Sequence, residues 1–348
     1  MFRIPRFFWL IAVLAMVAAA CGDDDETSSA QGGDLPTVVV TTNILGDVVT
    51  NLTGGTVEVV TIMPVGADPH DFQASAQQAD AMRTADVLIV NGLNFEEGLL
   101  DVIEGAEADG VATYAASSAV STIEFGEGGH DHDEHDHEGE EEHADEDHDH
   151  EGEEEHADED HDDHEGHDHS GDDPHFFTDP ARMAVAVDGI AAFLIANVDG
   201  IDADAVTAAA EAYHDELEAL DAEVAALVET IPEANRVLIT NHEVFGYFAD
   251  RYGFEVAGTV IPGGSTVDSA SAGALAELAE IVEAEGVSAI FSDVSSPDQL
   301  AQTLAEEVGD VAVVALFTES LGDADSDGST YVDMVRTNAE RIAGALAS

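Results

Sequence analysis

Short β-branched and aliphatic runs alternate along the chain with stretches whose apolar positions recur every three or four residues. TVVVTT at 37–42 predicts a buried strand, and ILGDVVTNLTG after it has helical spacing and a glycine stop. VEVVTIM predicts a second strand, and DAMRTADVLIVNG a helix end running into a third. GVATYAA and STIEF complete a first β/α set. The second half repeats the order, with strands at RVLITN, FEVAGTV, VSAIFSD and VAVVALF. Helices are predicted at EVFGYFADRYG, SAGALAELAEIVEAEG, DQLAQTLAEEVG and YVDMVRTNAERIAGALA. Strands alternating with helices imply parallel sheets covered on both faces.

Between the halves, Arg182 to Thr230 is rich in Ala, Leu, Val and Glu and is broken at Asn197-Val-Asp-Gly200. The piece from Asp202 to Thr230 reaches about 40 Å at 1.5 Å per residue, enough to run from one lobe to the other. The expected fold is α/β: two similar lobes, each a parallel sheet flanked by helices, joined by one long helix. The expected divisions are 37–200 for the N-terminal lobe, 201–230 for the linking helix and 231–348 for the C-terminal lobe.

The N-terminus departs from this pattern. Arg3 and Arg6 precede an apolar run from Phe7 to Ala20, and small residues lead into Cys21. That is a signal peptide over 1–20, and it resembles a lipoprotein signal in which Cys21 becomes the lipidated terminus. An ordinary signal peptide cut nearby is the alternative. Residues 21–36 are polar and aperiodic and read as a flexible tether. No later run is expected to cross a membrane. The protein is read as exported and held by its lipid at the outer face of the cytoplasmic membrane.

A second departure lies within the first lobe. The thirteen residues HDHEGEEEHADED occur twice in tandem, at 135–147 and 148–160. The segment 127–173 has two alanines as its apolar content, too little burial to offset ordering entropy, so it is expected to be disordered. It holds 26 of the chain's 76 acids; 50 remain elsewhere against 8 basic residues, all arginine. Acidity is therefore spread through the chain. It argues against nucleic acid, and it suits either a salt-adapted surface or a cation-binding role.

Twelve of the 16 histidines lie in that segment: His130, His132, His135, His137, His143, His148, His150, His156, His161, His164, His167 and His169. Three of the others fall at junctions into or out of strands and helices: His70 in VGADPHDF, His175 in DPHFFTDP and His242 in LITNHEVF. Ligands bind at the carboxyl ends of strands in such sheets, and neutral imidazole is a common metal ligand. The wide spacing means a site assembled by folding. His214, on a helix among acids, is read as solvated.

With these motifs, together with ADVLIVNGLNFE, NHEVFGYFADRYG and FTESLG in order, the chain closely resembles the cluster 9, ZnuA-like substrate-binding lipoproteins of zinc and manganese ABC transporters. The resemblance covers nearly all of the mature chain. It implies a rather rigid two-lobed fold that is not an enzyme, and His70, His175, His242 and Glu319 as metal ligands. Glu319 stands where Asp is more usual, and Asp323 and Asp325 compete with it. Histidine at 242 resembles the zinc branch, and Glu there the manganese branch. The resemblance implies Zn²⁺ as transported ligand, with Mn²⁺ a poorer match. It also implies an ABC permease and its ATPase as partners, a monomer, and a His-rich segment that collects or senses zinc. Three nitrogens and one oxygen suit tetrahedral Zn²⁺ on chemical grounds too.

Other readings are a manganese or iron homologue, a surface metal buffer or adhesin without transport, and a zinc hydrolase with Glu243 or Asp68 as base. Against the last, the chain has no HExxH, no Gly-x-Ser-x-Gly and no phosphate loop.

Overall fold

A computed structural model describes residues 35–126, 171–267, 270–309 and 311–347. Cys21, the leader and the twelve histidines of the acidic segment lie outside the described residues.

Two four-stranded parallel sheets form the two lobes. The first contains β1 (Thr37–Val40), β2 (Glu58–Thr61), β3 (Val87–Val90) and β4 (Ala112–Ala115), in the order β2-β1-β3-β4. The second contains β5 (Val237–Thr240), β6 (Glu255–Thr259), β7 (Ala289–Asp293) and β8 (Ala312–Leu316), in the order β6-β5-β7-β8. The second order is the first advanced by four, so the repeated sequence pattern folds as a repeated topology. In each sheet the order reverses between its first and third strands, where loops from neighbouring strands diverge and leave a crevice.

Helices follow the strands in the first lobe, α1 (Asn43–Thr53) and α2 (Ala76–Arg83) as the periodicity predicts, and α3 (Leu100–Ala108) where the sequence reading named no element. Helix α4 (Pro180–Asn197) is capped by Asp179, whose carboxylate accepts from the backbone of Ala181 and Arg182, with Pro180 at its first position. The linking helix α5 (Ala203–Val228) buries Val206, Ala210, Tyr213, Leu217, Leu220, Val224 and Val228. That spacing of three and four places one continuous stripe along the helix. The helix packs on α4, on α1 and on the last helix, α9 (Tyr331–Leu346). Of the remaining helices, α6 is Gly246–Tyr252, α7 Ala272–Glu285 and α8 Gln299–Val308.

Three local outcomes differ from the sequence reading. Residues 121–125 form no strand; Glu124 makes a lone antiparallel bridge to Asp172. The acidic segment therefore re-enters the fold before its expected end at 173: residues 171–173 belong to the structure, and Asp173 is buried. Helix α6 starts at Gly246 because residues 242–245 form a turn, with the amide of Val244 donating to the carbonyl of His242. Finally, α4 is long and apolar enough to cross a membrane, but eight of its residues are buried, among them Met183, Val187, Ile190 and Leu194. It is a core helix here.

Candidate metal centre

Four loops deliver four polar side chains to the crevice between the lobes. His70 lies beyond β2, His175 before α4, His242 directly beyond β5 and Glu319 beyond β8. All four are buried. One potential ligand atom from each lies within 4.8 Å of all the others. Glu319 Oε1 stands 2.7 Å from His70 Nε2 and 3.3 Å from the Nε2 atoms of His175 and His242. A tetrahedral zinc with ligands at 2.0–2.1 Å sets adjacent donor atoms about 3.3 Å apart. The cluster is thus near the dimensions that a small ion would impose. Apart from the 3.3 Å approach of His242 Nε2 to Glu319 Oε1, both ring nitrogens of His242 and Oε2 of Glu319 are buried without a hydrogen-bond partner among the described residues. Such unpaired polar atoms are costly unless something completes them. A cation does so.

Outer carboxylates orient two of the imidazoles. His70 Nδ1 lies 2.9 Å from Glu97 Oε1, and His175 Nδ1 lies 2.7 Å from Asp173 Oδ1. A carboxylate on one ring nitrogen fixes the tautomer and leaves the other nitrogen's lone pair for a metal. Asp173 Oδ1 also accepts the backbone N–H of His175 at 2.8 Å.

The local chain explains these placements. Asn91, Gly92 and the residues after them turn sharply, with left-handed φ of 90°, 57° and 59° at Gly92, Leu93 and Asn94. Leu93 resists that conformation, so the turn needs outside support. Glu96 provides it: its buried carboxylate accepts from Thr41 Oγ1 (2.6 Å), the amide of Asn91 (2.6 Å) and the amide of Gly92 (3.3 Å). Burial pushes the Glu96 pKa up and these donors work against that. The turn delivers Glu97 to His70, and Asn91 Nδ2 donates to the carbonyl of Pro174, beside His175. On the other side, a Cβ on Gly246 would lie 2.6 Å from Asp173 Oδ2. Glycine there lets α6 approach, and Tyr247 Oη donates to the Asp173 carbonyl at 2.6 Å. Phe95 meets the rings of His70 and His175 edge-on, both at 5.5 Å, closing the site with an apolar wall.

Electrostatics follow from this packing. Burial alone disfavours a charged His70, but Glu319 and Glu97 outweigh it and raise its pKa to about 10. His175 is raised by Asp173 and Glu319 against the same desolvation. Glu319 is penalised by burial, yet the histidines, His242 and His70 foremost, hold it well below the usual carboxylate range. Asp293, at the end of β7, is pushed up by burial and then by the charge of Glu319.

The structure gathers His70, His175, His242 and Glu319, and leaves Asp323 and Asp325 exposed outside the group. His214 lies on α5 near Asp188 (3.1 Å), away from the cluster. Asp68 is engaged by the amide of His70 and by Thr266 Oγ1, so it is a tie and not a free base. Glu243 lines a side cavity with Asp173 and Phe125. Sequence reasoning missed Glu97, Asp173, Glu96 and Asp293. For Asp173 the available signal was its place two residues before His175.

Residues 38–345 match the family described as zinc-uptake complex component A, periplasmic. The zinc-binding protein TroA of Treponema pallidum is 28% identical over 317 residues, spanning 90% of this chain and 89% of TroA. Its solved structure has a TM-score of 0.73 to this one, covering 90% of this chain and 100% of that chain. The manganese-binding lipoprotein MntA of Halalkalibacterium halodurans is 25% identical over 340 residues, spanning 98% of each chain. A Cd-bound periplasmic metal-binding protein from Candidatus Liberibacter asiaticus, 19% identical, shares the fold with a TM-score of 0.69 over 89% of this chain and 99% of its own. Such proteins bind and carry a substrate and are not enzymes, which removes the hydrolase alternative. The chain belongs to the zinc-uptake complex component A family of periplasmic proteins, the metal-binding components of ABC transporters.

Proposed function

We propose that the protein captures Zn²⁺ between its lobes through His70, His175, His242 and Glu319 and delivers it to an ABC permease driven by a cytoplasmic ATPase. The observation that carries this reading is the donor set: three imidazole nitrogens converging on one carboxylate oxygen, with two imidazoles backed by carboxylates. Zinc accepts such a four-donor N₃O set readily, whereas manganese favours more oxygen. Histidine at 242 points the same way on the family pattern. Cys21 would carry the lipid that holds the protein at the membrane. The His-rich segment would act as a weak zinc collector or load sensor beside the tight site.

Manganese is the second reading, because relatives named for manganese span nearly the whole chain. Competition between Zn²⁺ and Mn²⁺ for the purified protein tests the choice, alongside zinc uptake by cells with and without the protein. The proposal requires zinc to outcompete manganese, and uptake at low zinc to fall without the protein. Preference for manganese, or unchanged uptake, would refute it.

A further inference from the structure

Two of the imidazoles are oriented by outer carboxylates, but Glu319 has no such partner. Its Oε1 meets the histidines, and its Oε2 meets no hydrogen-bond donor among the described residues. The placement of this carboxylate therefore rests on its backbone. Two asparagines bracket that backbone. Before it, Asn338 on α9 accepts from the amide of Phe317 (2.9 Å) and donates to its carbonyl (2.6 Å). After it, Asn43 accepts from the amide of Leu321 (2.7 Å) and donates to Ser320 Oγ (3.0 Å).

The two brackets differ in origin. Asn338 belongs to the same lobe as Glu319, while Asn43 is the first residue of α1, in the opposite lobe. Asn43 Nδ2 also reaches the carbonyl of Pro64 (3.3 Å), and Ser320 Oγ accepts the amide of Gly66 at 2.7 Å. Pro64 and Gly66 lie in the loop that ends at His70. One buried side-chain amide thus joins the segment after Glu319 to the loop that carries His70. Asn43 is not the helix cap; Thr42 fills that role through its hydroxyl, which accepts from the amide of Leu45. The Asn43 side chain is left for the cross-lobe joint.

We propose that Asn43 is a positioning residue for the metal. It fixes Glu319 against His70 across the lobe boundary and so sets how fast a bound ion leaves. The assignment rests on the metal-capture reading above.

The test is a double-mutant cycle of Asn43→Ala and Glu319→Gln in the mature chain. The readouts are Zn²⁺ dissociation into excess chelator and the melting temperature of each metal-free variant. Asn43→Ala alone is expected to speed zinc release about 10–100-fold, the usual cost of losing a partner that orients a ligand. With Gln at 319 it should change release by less than about twofold, since it acts through the missing carboxylate. Ser320→Ala, which removes the other half of the joint, should give the same pattern, and it carries the test if Asn43→Ala does not fold. An equal effect in both backgrounds makes the joint mere lobe-to-lobe adhesion and overturns the assignment, as does unchanged release. A wild-type chain that holds no Zn²⁺ overturns the functional reading itself, and this assignment with it.

Discussion

Binding of zinc should expel a proton at a pH where an ordinary histidine has none to give. His70 has its pKa raised to about 10 by Glu319 and Glu97, despite burial. A metal needs the neutral ring, so binding must displace the proton. At pH 8 a group with that pKa is about 99% protonated, whereas one at the ordinary 6.5 is about 3% protonated. The expected release at pH 8 is therefore about one proton per zinc, or somewhat more because His175 is raised too. The proton belongs to the coupled cluster and not to one ring. Displacing it at pH 7 costs about 4 kcal/mol, and affinity should climb about tenfold per pH unit from 7 to 9. The assay is calorimetry at pH 8 in two buffers of different ionisation heat, on protein lacking residues 127–170 so that the acidic segment contributes nothing. A release below about 0.2 proton per zinc would refute the electrostatic description of the site.

Other consequences follow from the same contacts. Asp173→Asn should weaken zinc binding about 10–100-fold, because one oxygen holds both the ring and the backbone of His175. For the same reason, removing residues 127–170 should leave the tight site, and removing 127–173 should weaken it; chelator competition on the two deletions would show this. Without metal, the raised His70 adds stability that is full below its ordinary 6.5 and is lost as pH rises through about 10. The lowered Glu319 adds stability present above its ordinary 4.5 and lost as pH falls through its depressed value. Metal-free melting temperature should thus gain most from this cluster between pH 4.5 and 6.5, and the increment on adding zinc should grow above that window. With 76 acids against 8 basic residues, added monovalent salt should raise the melting temperature by screening repulsion; a fall would mean that the few ion pairs, such as Arg251 with Asp221, outweigh it.

The three clustered histidines were legible because histidine is scarce outside the acidic segment and each falls at a junction that the strand and helix pattern marks; Glu319 came from the family resemblance alone, with Asp323 and Asp325 left as competitors. The strands were legible because β-branched runs such as VVV at 38–40 and VLIV at 87–90 have no other use for a buried period. The outer partners were not. Glu96 and Glu97 are acids in a chain full of acids, and nothing local separates a buried carboxylate from a solvated one; Asp173 differs only in standing two residues before His175. Asn43 was hidden for a different reason: its partners, Ser320 and Leu321, lie 277 and 278 residues away. The late start of α6 depended on the turn at 242–245, a tertiary demand on residues with helical spacing.

The central claim is that one zinc ion is held between the lobes and that the acidic segment is accessory. Calorimetric zinc titration of the soluble protein beginning after Cys21, with and without residues 127–170 and with His242→Ala, tests it most directly. One tight site that survives the deletion and is lost without His242 is the predicted result. Weak binding alone, all of it removed with the acidic segment, would contradict the account and leave a surface buffer in place of a receptor.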